Sequence, residues 1–196
     1  MKYLLLTGLI LVASFAQAKQ ATSDFGYTIE IPETWAPLTG PEAKANPDLF
    51  NFDNVDSLPP AILDQVIPLI TSGQMDFYFL PDNSNEFADN INVIKQLAQV
   101  PSSPEQVKQV CEMYPIELKN LFNRDIAIKT CEKRTVSGRD ALYIESEGAI
   151  VGTTSMMYQI EVSTNILLMF TATVKNTSIN GVEADIHKAI NTVNIN

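Results

Sequence analysis

The chain has one histidine among its 196 residues, and that scarcity narrows the chemistry before any motif is sought. A metal site built on several imidazoles is excluded. A histidine-activated nucleophile would have to use His187, which lies between Ile186 and Lys188 late in an amphipathic run, where a solvated helix-end role is the simpler reading. No G-x-S-x-G or S-x-x-K pattern places a serine beside an activating base. Cations are also few: 13 Lys and Arg stand against 23 Asp and Glu, a formal charge of -10. Phosphate backbones and anionic lipid surfaces need cationic patches, so nucleic acid is not an expected partner, and nothing calls for a cofactor.

Long apolar runs are missing too. Leu4 to Val12, interrupted by Thr7 and Gly8, is shorter than the roughly 18 to 20 residues that span a bilayer. With Lys2 ahead of it and Ala16-Gln17-Ala18 behind, it has the pattern of a cleaved signal peptide over residues 1–18. The mature chain would then be one domain over residues 19–196, one unit more negative because Lys2 leaves, with no stable membrane insertion and a periplasmic or secreted location. No cysteine closes the leader, so a lipoprotein anchor is not available.

There are only two cysteines, Cys111 and Cys131. In an oxidising compartment such a pair implies one structural disulfide, worth about 3 kcal/mol for a loop of this length in the chain-entropy model. A redox-active pair would call for the C-x-x-C spacing, which is absent.

Along the chain, Tyr27, Ile29 and Ile31 alternate with Thr28 and Glu30 as a half-buried strand stopped by Pro32. Trp35 follows, placed to plug the end of a core. Residues 36–58 read as an irregular connection with a short helical turn near Pro41 to Ala45, and Pro60 to Gly73 as a helix presenting Leu63, Val66, Ile67 and Ile70. Met75 to Leu80 and Asn90 to Leu97 read as strands. Ser103-Pro104-Glu105-Gln106 is a capping-box helix start, and Pro115 is expected to break or restart that helix. Two hairpins follow, Ile126 to Glu147 turning at Ser137-Gly138, and Thr154 to Val174 turning at Ser163-Thr164-Asn165. The last strand is apolar on both faces, which places it centrally with cover on both sides. Asn180 to Glu183 resembles a capping box for a final helix carrying Val182, Ile186, Ala189, Ile190 and Val193. The fold class is α+β, a central antiparallel sheet of about six to seven strands covered by helices.

Phe25-Gly26-Tyr27-Thr28-Ile29-Glu30-Ile31-Pro32 followed by Trp35 is similar to the opening of the PsbP-like fold family, and Thr135-Val136-Ser137-Gly138-Arg139-Asp140-Ala141 resembles its G-x-x-A hairpin. That family takes in PsbP proteins, the Mog nuclear-import factor and DcrB-type bacterial envelope proteins. The resemblance implies an α/β/α sandwich from about Phe25 to Asn194 and a non-catalytic binding or assembly role with a protein partner.

Candidate site residues follow from what remains. Glu145 and Glu147 share a strand face, as an acidic partner surface or as the paired carboxylates of a hydrolytic enzyme, the competing function. Asp82 and Asp89 extend that anionic patch, and Trp35 with its loops is the next candidate for the partner surface. Asp82, Ser84 and Glu86 offer alternating oxygens to calcium, but the loop has Phe87 and Val93 where an EF-hand needs glycine and glutamate, so no metal is expected. Met156, Met157 and Met169 would line an adaptable pocket if the protein carried a small apolar ligand, and otherwise pack in the core.

Overall fold

Alternation along the first strand becomes layering in the computed structural model, which describes residues 18–45, 68–81 and 87–196. Strand β2 (Tyr27–Pro32) buries Tyr27, Ile29 and Ile31 and exposes Glu30. It pairs not with the main sheet but with β1 (Ala18–Thr22) and with β10 (Asn194–Ile195) at the other end of the chain, giving a three-stranded sheet ordered β1-β2-β10. After it come β3 (Ala36–Leu38), α1 (Gly40–Ala45), β4 (Asp76–Phe79), β5 (Asn90–Gln96), α2 (Pro104–Phe122), β6 (Ile128–Val136), β7 (Arg139–Glu147), β8 (Thr153–Ser163), β9 (Ile166–Lys175) and α3 (Ile179–Asn191). The main sheet has seven strands in the order β3-β4-β5-β9-β8-β7-β6, each pair of neighbours antiparallel.

The α+β class and the seven-stranded antiparallel sheet agree with expectation. One covering layer is richer than expected, because the small sheet and α3 together close one face. Tyr27, Ile29 and Trp35 join Tyr143, Tyr158, Ile160, Leu168, Phe170, Val174 and the apolar side of α3 in the larger core. Tyr27 meets Phe170 edge-on at 5.2 Å between ring centroids, a favourable arrangement of ring quadrupoles. On the opposite face a smaller core gathers Val100, Leu142, Ile144, Met157 and Leu167 under α2.

Strand β9 does take the central position. Its cover is unequal, however. Leu168, Phe170, Ala172 and Val174 are buried under α3, whereas Met169, Thr171 and Thr173 are only half-buried on the α2 side. Pro115 does not break α2, which runs unbroken past it for 19 residues. Proline there removes the amide that would bond to the Cys111 carbonyl, and the turn so weakened is tied to β6 through the Cys111 side chain. The box at Asn180 does not form either. Helix α3 starts at Ile179 with Ser178 as N-cap, and the Ser178 hydroxyl is directed to Asp89 and to the Lys175 carbonyl rather than to the helix amides. Of the expected helix from Pro60 to Gly73, residues 68–73 fall within the described part; 68–71 are helical, and the turn after them reaches Gly73 with φ 70.

Candidate functional groove under the second helix

Helix α2 begins as its sequence dictates. Ser103 accepts from the Gln106 amide, Gln106 reaches back to the Ser103 amide, and Pro104 fills the first turn, where no intrahelical donor is needed. Val107, Val110 and Tyr114 then lean on the smaller core, and the Tyr114 hydroxyl points at the Met157 sulfur at 3.5 Å. Cys111 is bonded to Cys131 of β6 across a Cα–Cα distance of 5.8 Å. Yet no residue of α2 is fully buried. Past Pro115 the helix stands off the sheet, leaving Leu121 73% and Phe122 40% exposed.

The space between is a groove of about 420 Å³. Its helix wall is Tyr114, Leu118, Leu121 and Phe122, and its floor is the α2-facing side of β8 and β9: Ser155, Met157 and Gln159 beside Met169, Thr171 and Thr173. Period-2 alternation explains the mixture, since the residues between these face the larger core and are apolar. Glu117 and Glu147 are the charged residues of its lining. An apolar wall over a floor of hydroxyls, an amide and two thioethers suits an apolar body with a few hydrogen-bonding points. Met157 and Met169 thus line a pocket, whereas Met156 lies in the larger core on the other side of the sheet.

The expected acidic surface looks different in place. Glu145 is held by Lys129 at 3.2 Å and accepts from the Tyr143 hydroxyl at 3.2 Å. Glu147 lies 3.8 Å from Arg124. Each carboxylate has a cation of its own beside it. Asp89 is a buried structural acceptor: it takes the Lys175 amide at 2.7 Å and the Ser178 hydroxyl, and so fixes the corner between β9 and α3. Trp35 is 2% exposed in the larger core and presents no face to a partner. Asp82, Ser84 and Glu86 lie outside the described residues. Among the described residues no group of three or more His, Cys, Asp or Glu side chains could hold a metal ion.

Two polar clusters escaped the sequence. His187 is not a free helix-end imidazole: its Nδ1 lies 2.6 Å from the Tyr158 hydroxyl and its Nε2 3.5 Å from Glu183. Arg134 donates to the Tyr158 oxygen at 3.1 Å and stacks 3.5 Å over the Tyr143 ring. Burial pushes the phenol of Tyr158 up, against the pull of Arg134, so the hydroxyl keeps its proton. A phenol held neutral is a poor nucleophile, and the cluster reads as a clasp between α3 and the sheet. In the second cluster, buried Asp76 accepts from the Ser23 and Tyr27 hydroxyls, and Tyr27 touches the Tyr78 hydroxyl at 2.9 Å. Burial pushes the Asp76 carboxyl up, partly offset by those donors and by the Gly40 amide. Tyr143 comes to face Tyr158 only through the β7–β8 register, and neither cluster has a signal in the sequence.

With the layers in view, the chain can be compared with known structures. Cyanobacterial PsbP (CyanoP) from Synechocystis sp. PCC 6803 superposes with a TM-score of 0.55 at 12% identity, covering 96% of this chain and 98% of that one. The fold is PsbP-like. The Saccharomyces cerevisiae Ran-binding protein Mog1p has the same PsbP-like arrangement, with a TM-score of 0.51 at 7% identity over 92% of this chain and 96% of its own. Neither a protein-family model nor a curated protein matches the sequence. At such identities the PsbP-like likeness is one of architecture, and the groove has to be judged on its own residues.

Proposed function

We propose that this PsbP-like chain is a non-catalytic binding or accessory protein that works outside the cytoplasm, in the periplasm or after secretion, and binds through the groove under α2. The observation that carries this reading is the helix that covers the sheet without sinking into it. A 19-residue helix with no fully buried side chain would ordinarily slide or fray, but the Cys111–Cys131 bridge pins it over a sheet face that keeps half-buried hydroxyls and thioethers. The apolar row Leu118, Leu121 and Phe122 is therefore held open toward a space of ligand size. Location outside the cytoplasm is supported by the leader pattern of residues 1–18 and by the disulfide. That the fold also hosts a Ran-binding protein is in keeping with a binding role.

An environment-sensitive apolar dye tests the site directly. Its fluorescence should rise with the oxidised protein and fall back at least severalfold in a Leu121→Ser/Phe122→Ser variant of unchanged melting temperature, because both side chains are already exposed. Equal dye binding by the two proteins counts against the groove. Intact mass and fractionation of the expressed full chain test cleavage at Ala18 and export.

A further inference from the structure

Strand β6 ends the seven-stranded sheet and, among the described residues, pairs with β7 alone. The geometry of its hairpin tells which of its backbone groups are spare. Ser137 and Gly138 have φ of 50 and 78, the pair of left-handed residues that defines a two-residue type I′ turn. Val136 and Arg139 then form the hydrogen-bonded pair closing the turn, and bonded pairs recur at every second residue, Arg134 with Ala141 and Glu132 with Tyr143. The residues between them, Thr135, Lys133 and Cys131, have their amides and carbonyls turned away from β7 toward the open edge.

The strand itself carries more cations than anions, in a chain with an excess of acid. It carries Lys129, Lys133 and Arg134 against Glu132, while the chain as a whole is at -10. The cations have partners, Lys133 with Asp140 and Arg134 with Glu132, both at 2.7 Å, and Lys129 with Glu145. The Lys133 pair is exposed on both sides, and exposed pairs are weak enough to exchange for a stronger neighbour. Lys133 sits opposite Leu142 on the α2 side, and Arg134 stacks on Tyr143 on the α3 side. Cations therefore project on both faces of the same short stretch.

We propose that the outer edge of β6 is a docking strand for an extended acidic segment of a partner protein. The added strand would bond to the spare amides and carbonyls of Cys131, Lys133 and Thr135, and successive carboxylates on it would meet Lys133 on one face and Arg134 on the other. Charge chooses this occupant over a second copy. Two β6 edges brought together in the antiparallel registers centred on Cys131 or Lys133 would set lysine against lysine, and lysines on an edge discourage such self-pairing. The surface is separate from the groove under α2, so it stands or falls independently of that site.

The probe is a blocked, extended nonapeptide of adjacent glutamate pairs separated by single valines, titrated into the oxidised, isotope-labelled protein. Amide exchange at Cys131, Lys133 and Thr135 should slow on binding, and binding should weaken about tenfold for the glutamine counterpart or for Lys133→Glu. Thr135→Pro should abolish it, since that proline removes a spare donor and leaves the β6–β7 ladder whole. A peptide N-methylated at every second backbone nitrogen asks the same of unaltered protein, should the proline variant not fold. Equal binding of the methylated peptide, absence of any response at β6, or self-association of the free protein through this strand would each overturn the proposal.

Discussion

Breaking the Cys111–Cys131 bridge should loosen one particular half-helix before it unfolds the protein. The bridge spans 20 residues, and closing a loop of that length costs the unfolded chain an entropy worth about 3 kcal/mol at room temperature. In a chain of this size each kcal/mol moves the melting temperature by about 2–4 °C, so reduction, or a Cys111→Ser/Cys131→Ser variant, should lower it by about 6–12 °C. The loss will not be uniform. Val107, Val110 and Tyr114 have the smaller core to rest on, but residues 116–122 have only the exposed row that walls the groove. Backbone amides there depend on the helix staying docked, and local opening needs little energy where few apolar contacts close behind it. Hydrogen exchange read by mass spectrometry should therefore rise first in residues 116–122, with β8 and β9 unchanged under native conditions. Dye binding at the groove should fall with it. If the reduced protein melts within about 2 °C of the oxidised one, and exchange in α2 is unaltered, the helix is held by its own packing and the tether reasoning is wrong.

Other outcomes follow from single residues. Asp76 has its carboxyl pushed up by burial, so the folded state holds that proton more tightly than the unfolded chain; the associated stability is fully present below the unfolded value and is lost as pH rises through the folded one. Relative to Asp76→Asn, the native protein should gain stability on acidification from neutral pH, as read from denaturant midpoints, and a relative loss would contradict the assignment. Tyr158→Phe removes the acceptor of Arg134 and the partner of His187 at 2.6 Å, and should cost about 1–3 kcal/mol in urea unfolding; no cost would show that the clasp is slack. Gly148→Ala would drive a methyl into the Thr153 hydroxyl, which donates to the Ile150 carbonyl at 2.7 Å, and should destabilise by about 1–3 kcal/mol, with partial recovery when Thr153 is also replaced by alanine.

Much of the fold was legible because it is written in neighbouring residues. The alternation of Tyr27, Ile29 and Ile31, the two hairpins with their turns at Ser137-Gly138 and around Asn165, the box at Ser103 and Gln106, and the central place of β9 are all local patterns of period, turn chemistry and capping. The short strands β1, β3 and β10 were not legible, since five, three and two residues carry no period of their own and become strands only by pairing with what lies beside them. The groove was half legible: Met156, Met157 and Met169 read either as liners of a pocket or as core, and the three divide between the two, but that α2 would stand off a floor of Ser155, Thr171 and Thr173 depends on how far Pro115 and the disulfide let it approach.

The acidic candidates show where local reading stops. Glu145 and Glu147 look like a patch in a chain of net charge -10, and only the pairing of β6 with β7 brings Lys129 to the first, as only the bend after α2 brings Arg124 to the second. Asp89 looks like a loop carboxylate until the Lys175 amide and the Ser178 hydroxyl close on it from 86 and 89 residues away. His187 met Tyr158 in the same way, across 29 residues. Backbone state and burial are set by the period and shape of nearby side chains, which any stretch carries with it. The charge and reactivity of a polar group are set by what lies within about 4 Å of it, and in a sheet whose neighbours are distant in the chain that is decided by tertiary structure alone.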